Sequence, residues 1–193
     1  MKTINYLFTF LFFLIFNNAF SQDTLLVYKT FEEYSNNSGT RYNKYYGWSH
    51  NNGKMKIWFK ENNKKIKIPA NEIWGVYFNG AIFRTDTRTH QFARLLSKGK
   101  ICYYENGAAH LNMIGRKTEL GQFPIGYYAY VSKDLESEMI PFPSPQATSS
   151  DAYKLLNKFK TDNKQYDKLF EPIGKDYYYY KDLRIKIKDF EEM

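Results

Sequence analysis

Across residues 54–68 the chain alternates between apolar and charged residues with a period of two. Met55, Ile57 and Phe59 interleave with Lys54, Lys56, Trp58 and Lys60. After Glu61-Asn62-Asn63, Ile66 and Ile68 interleave with Lys65 and Lys67. Only an extended strand sends successive side chains to opposite faces, so this stretch predicts a β-hairpin buried along one side and wet along the other. Pro69 ends the second strand because it has no N–H to give the ladder.

The same signal continues along the chain. Residues 73–78 are apolar on both faces, as in a central strand. Asn79-Gly80 follows, and this pair tolerates positive φ at both central positions of a two-residue hairpin turn. Further strands are predicted at 91–97, 100–105, 123–132 and 136–142. Ser97-Lys98-Gly99 and Lys133-Asp134-Leu135 turn the chain, and 108–121 forms a longer polar excursion. About eight strands at this spacing predict a mainly β (α+β) fold, an antiparallel meander closing into a barrel or a curved sandwich.

Pro141, Pro143 and Pro145 break the strand pattern, and a helical segment over 149–171 follows. Ser149 or Ser150 caps it, Asp151 complements its N-terminal dipole, and Ala152, Leu155, Leu156 and Phe159 form an apolar stripe. Tyr166, Leu169 and Phe170 repeat that spacing in a second short helix ending near Pro172. Thr30 and Glu33 have capping-box spacing, which predicts a short early helix. The tail alternates Leu183, Ile185 and Ile187 with Arg184, Lys186 and Lys188, which reads as a last strand. The Asn-rich stretch 35–53 reads as loop.

The first residues read as an address. Lys2 is followed by an uncharged apolar run over 6–16, too short to span a bilayer, and small Ala19 and Ser21 precede Gln22. Residues 1–21 are expected to be a signal peptide, leaving 22–193 as a single β-rich domain in the periplasm or outside the cell. No later stretch is apolar enough to predict a transmembrane segment. A single cysteine, Cys102, excludes a disulfide scaffold and a cysteine-based zinc site.

The hairpin residues Ile73-Trp74-Gly75-Val76-Tyr77-Phe78-Asn79-Gly80, leading to Phe83-Arg84, and the segment Gly126-Tyr127-Tyr128-Ala129-Tyr130-Val131 stand behind this export signal. Together they resemble small secreted proteins of unknown function from Bacteroidota. The resemblance implies an envelope or extracellular setting and brings no catalytic residues with it.

The formal net charge is +8, and only six of the 28 basic residues are Arg. Nucleic-acid readers favour Arg, whose fork matches phosphate and guanine, so a Lys-rich exported chain points away from nucleic acid and toward acidic surfaces. The leading candidate site is the outer face of the 54–68 hairpin. There Trp58 stands among Lys56, Lys60, Lys65 and Lys67, an aromatic face among ammonium groups suited to an acidic glycan. The competing reading is that edge lysines only prevent strand-to-strand aggregation. A second candidate is Tyr45, Tyr46 and Trp48, in a loop that either binds a partner or folds back over the core. A third is the segment 84–90, which if extended puts Arg84, Asp86, Arg88 and His90 on one side to grip an anion. Residues 177–180 are four tyrosines, read as packing.

Chemistry has less to stand on. His50, His90 and His110 lack metal-ligand spacing, so neither metal nor cofactor is expected. Glu136 and Glu138 share a face of a predicted strand and could serve a hydrolase as a like-charge pair. Cys102, between Ile101 and Tyr103, reads as a buried inert thiol. The sequence thus points first to a non-enzymatic binding protein of the envelope, for an acidic polysaccharide, surface component or protein partner. A barrel carrying a small apolar ligand comes second and a hydrolase third.

Overall fold

The computed structural model describes residues 24–43, 45–51, 54–106, 129–142, 150–170 and 180–193. Eight of its strands form one antiparallel sheet: β1 (Leu25–Tyr28), β2 (Thr40–Tyr42), β6 (Gly75–Phe78), β7 (Ala81–Thr85), β8 (Phe92–Lys98), β9 (Cys102–Glu105), β10 (Ala129–Ser132) and β11 (Ile140–Pro141). Their order is β11-β10-β9-β8-β7-β6-β1-β2, a meander with β1 slotted beside β6. A second sheet holds β3 (Tyr45–Asn51), β4 (Lys54–Glu61) and β5 (Lys64–Pro69) in that order. Among the described residues the large sheet does not close on itself, so the architecture is a curved sandwich and not a closed barrel.

The two sheets meet because each offers one apolar face. Met55, Ile57 and Phe59 of β4 pack with Val76 and Phe78 of β6, Phe83 of β7 and Leu25 and Val27 of β1 in one buried cluster. Fully burying a side chain of this size is worth about 2–3 kcal/mol, so the cluster fixes both sheets in register. Nearer β11, the same face of the large sheet is covered by α2 (Ser150–Asp162), a 3-10 helix (Lys164–Phe170) and α3 (Tyr180–Glu192). The opposite face carries Ala93, Cys102, Tyr104 and Tyr130, covered by α1 (Phe31–Ser35) and by Leu135 and Met139.

Local chemistry explains the boundaries. Thr30 caps α1, its hydroxyl accepting from the Glu33 amide at 3.2 Å, while the Glu33 carboxylate accepts from the Lys29 amide at 2.6 Å. Asn79 and Gly80 take φ of 47° and 75°, the two positive values of a tight hairpin turn between β6 and β7. The α2 stripe buries Ala152, Leu156 and Phe159 as its spacing requires.

Four expectations are corrected. The tail is a helix: α3 buries Leu183 and Ile187, four apart, and leaves Ile185 half exposed. Within 35–53 the chain builds α1's end, β2 and β3, because Tyr45 pairs with Phe59 and packs inward. Only Ile140–Pro141 of the predicted strand 136–142 forms a ladder. Ahead of it, Asp134 Oδ1 accepts from the Glu136 amide and from the Ser137 amide and hydroxyl, winding 134–137 into a turn. The segment 84–90 is extended only through Thr85, where β7 ends. Asp86 and Gln91 close a turn in which His90 has φ of 54°. The expectations for residues 1–21, 108–121, 123–128, 177–179, Ser149 and His110 lie outside the described residues.

Candidate functional site

The site with the most charge is built by one hairpin. Strands β4 and β5 turn through Asn62 and Asn63, with φ of 46° and 62°, and pair Trp58 with Lys67, Lys60 with Lys65, and Lys56 with Pro69. Residues directly opposite each other share a face. Met55, Ile57 and Phe59 are 0–1% exposed, so the alternation turns Lys56, Trp58 and Lys60 outward together with Lys65 and Lys67.

On that face the ammonium of Lys65 lies 3.6 Å from the centre of the Trp58 ring, and that of Lys67 lies 4.2 Å from it. Each such contact is worth about 0.5–1 kcal/mol at an exposed site, because the ring's negative quadrupole attracts the cation. Trp58 therefore gathers two like charges that would otherwise repel. Among the described residues no salt bridge neutralises Lys56, Lys60, Lys65 or Lys67. The hairpin's one carboxylate, Glu61, stands opposite Lys64 at the turn. Like charges facing each other on neighbouring strands cost stability, a cost an anionic ligand removes.

Around the turn this face runs into an open polar pocket of about 490 Å³, lined by Arg41, Asn43, Lys60, Glu61, Asn62 and Asn63 with Tyr42. Tyr42 stacks on Phe59 at 4.1 Å, and its phenol pKa is raised, by burial first and by Glu61 second. The sequence reading missed Arg41. Its nearness to Lys60 depends on β2 and β4 belonging to different sheets, and no local pattern announces that.

The other sequence candidates fall elsewhere. Tyr45 is 5% exposed, packs against Phe78 with ring centres 5.0 Å apart, and its phenol pKa is pushed upward by burial. Trp48 packs against the same cluster, so both are pieces of the inter-sheet core. The side chains of Tyr46 and His50 lie outside the described residues. Arg84 is 4% exposed and turned inward, with its guanidinium 5.2 Å from the Trp74 ring and 5.6 Å from that of Tyr104. It donates to the Tyr104 hydroxyl at 3.1 Å and to the Ser137 carbonyl at 3.0 Å. Arg88 is held by Asp86 at 3.1 Å, by Glu138 at 3.2 Å and by the Met139 carbonyl. The structure thus spends both arginines on tying the β7–β8 turn to residues 137–139.

Glu136 and Glu138 do not form a like-charge pair on a strand: Glu138 is ion-paired with Arg88, and Glu136 is exposed in the Asp134 turn. Cys102 is 2% exposed, and its thiol pKa is raised, chiefly by desolvation. Among the described residues no three His, Cys, Asp or Glu side chains come together as metal ligands, and no helix is long and apolar enough to cross a membrane. Comparison with known protein families, curated proteins and solved structures finds no match for this chain.

Proposed function

We propose that this is a non-enzymatic, exported binding protein that holds an acidic polysaccharide of the cell envelope on the outer face of β4 and β5. The observation that carries the reading is the pair of lysine ammonium groups gathered on Trp58, between Lys56 and Lys60. With its ring engaged by ammonium groups, Trp58 organises charge for anionic groups in place of stacking on a sugar. The row Lys56, Lys60, Lys65, Lys67 suits a repeating carboxylate or sulfate better than a single small anion. The pocket of Arg41 and Lys60 lengthens that row around the turn.

The test is retention on immobilised polygalacturonate against neutral dextran, at about 50 and 300 mM salt. The Debye length shrinks across that range, so retention through exposed lysines falls steeply. A charge pair about 6 Å apart in water is worth roughly one thermal unit, so Lys65→Gln with Lys67→Gln should weaken binding about fivefold to tenfold. Trp58→Ala should weaken it less, by releasing both ammonium groups from one place. Equal retention of the double variant and the unaltered chain would remove this face from the function.

A further inference from the structure

A second site lies on the other face of the large sheet. There α1 rests on Trp74: Tyr34 stacks on that indole with ring centres 4.8 Å apart, Phe31 lies 5.7 Å from it, and Tyr28 meets Tyr34 edge-on at 5.4 Å. Facing this aromatic wall is Leu135, 5% exposed, in the turn that Asp134 builds. Between the two runs an open groove of about 630 Å³, with Cys102 also in its lining and Lys98 and Lys133 exposed at its rim. That volume is ordinary for a small-molecule site, and the mix of aromatic wall and few charges is the usual composition of one.

The charge around the groove selects the ligand. Lys98 Nζ sits 5.9 Å from the centre of the Tyr34 ring, so a cation borders the apolar wall itself. Beneath this face the buried Arg84 guanidinium lies 5.6 Å from the Tyr104 ring and adds a further positive charge, although burial outweighs its pull on the Cys102 thiol and the Tyr104 phenol, which both stay protonated. The one acid of the lining, Asp134, keeps its negative charge, its carboxyl held low by the Ser137 hydrogen bonds, and is outnumbered by Lys98 and Lys133. The balance is positive beside an apolar surface.

We infer that this groove binds a small apolar carboxylic acid, its ring or chain against Phe31, Tyr34 and Leu135 and its carboxylate toward Lys98 and Lys133. The inference does not rest on the polysaccharide reading, because no residue is shared between the two faces. A closed barrel interior is not needed for such a ligand; the curved sheet and the short helix α1 supply the walls.

The probe is 11-(dansylamino)undecanoic acid, titrated into the full mature chain while its emission is followed, with its methyl ester as the uncharged counterpart. One equivalent of the acid should bind, at least tenfold tighter than the ester. Lys98→Glu combined with Lys133→Glu, both at exposed positions, should abolish that preference and leave ester binding unchanged. Ser35→Trp places a large ring over the groove from the exposed end of α1 and should weaken acid and ester alike, at least tenfold. Lys65→Gln with Lys67→Gln should change neither. Equal affinity for acid and ester, non-saturable binding, full binding by Ser35→Trp, or a loss caused by the Lys65/Lys67 pair would each overturn the inference.

Discussion

Raising the pH tests the buried network that supports the floor of the groove. Ser132 Oγ donates to the Asp134 carbonyl at 2.5 Å, so the 2.9 Å contact between Ser132 and Tyr104 has the phenol as donor, and Tyr104 in turn accepts from Arg84. Losing the phenol proton would leave Ser132 without that donor and put a charge where the ring is fully buried. The Tyr104 pKa is accordingly pushed up to about 12 from 10.0, by desolvation first and against the pull of Arg84. Between those two values the unfolded chain has released this proton and the folded chain still holds it. Stability from this group is therefore intact below about pH 10 and declines as pH rises, by about 1 kcal/mol at pH 11 and about 2 kcal/mol at pH 12. Tyr104→Phe cannot titrate. At pH 8 it should be less stable than the unaltered chain by about 1–2 kcal/mol, for the lost hydrogen bonds. Urea unfolding of both proteins, followed by far-ultraviolet circular dichroism from pH 8 to 12, reads the difference. Lysines and the remaining tyrosines titrate in both chains and cancel. The two stability curves should converge and meet near pH 11–12; curves that stay parallel across the range would refute the buried, donating phenol.

Two further outcomes follow from single positions. A Cβ at Gly99 would run into the Glu191 carboxylate, which accepts from the Lys100 amide at 2.7 Å and the Ile101 amide at 3.3 Å. Gly99→Ala should displace that carboxylate, cost about 1–2 kcal/mol in chemical denaturation, and raise amide exchange at residues 100 and 101. Cys102, buried and held protonated, should react with iodoacetamide at neutral pH only in step with global unfolding, and fast labelling of the native chain would contradict its burial.

What could be read in advance followed the range of the forces involved. The β4–β5 hairpin was legible because strand period, turn residues and burial are all settled within sixteen consecutive residues, and the charged face came with them. The Asn79-Gly80 turn and the Thr30 cap of α1 were legible for the same reason. The tail was not. Leu183, Ile185 and Ile187 satisfy a strand's period, while Leu183, Ile187 and Phe190 satisfy a helix's, and a window this short carries both patterns. The decision comes from elsewhere in the chain: Arg184 grips the buried Glu105 carboxylate, and Glu191 caps the amides of Lys100 and Ile101. Arg84 shows the same limit. Its polar neighbourhood, Thr85 to His90, reads as solvated loop, yet its partners lie 20 and 53 residues away and make burial of a cation affordable. The groove is the extreme case, since β1, α1, β8, β9 and the Asp134 turn each contribute to its lining and none is distinctive alone. A binding surface on one hairpin can be inferred from its spacing; one assembled from several elements has to be seen folded, and the two proposed sites differ in this respect.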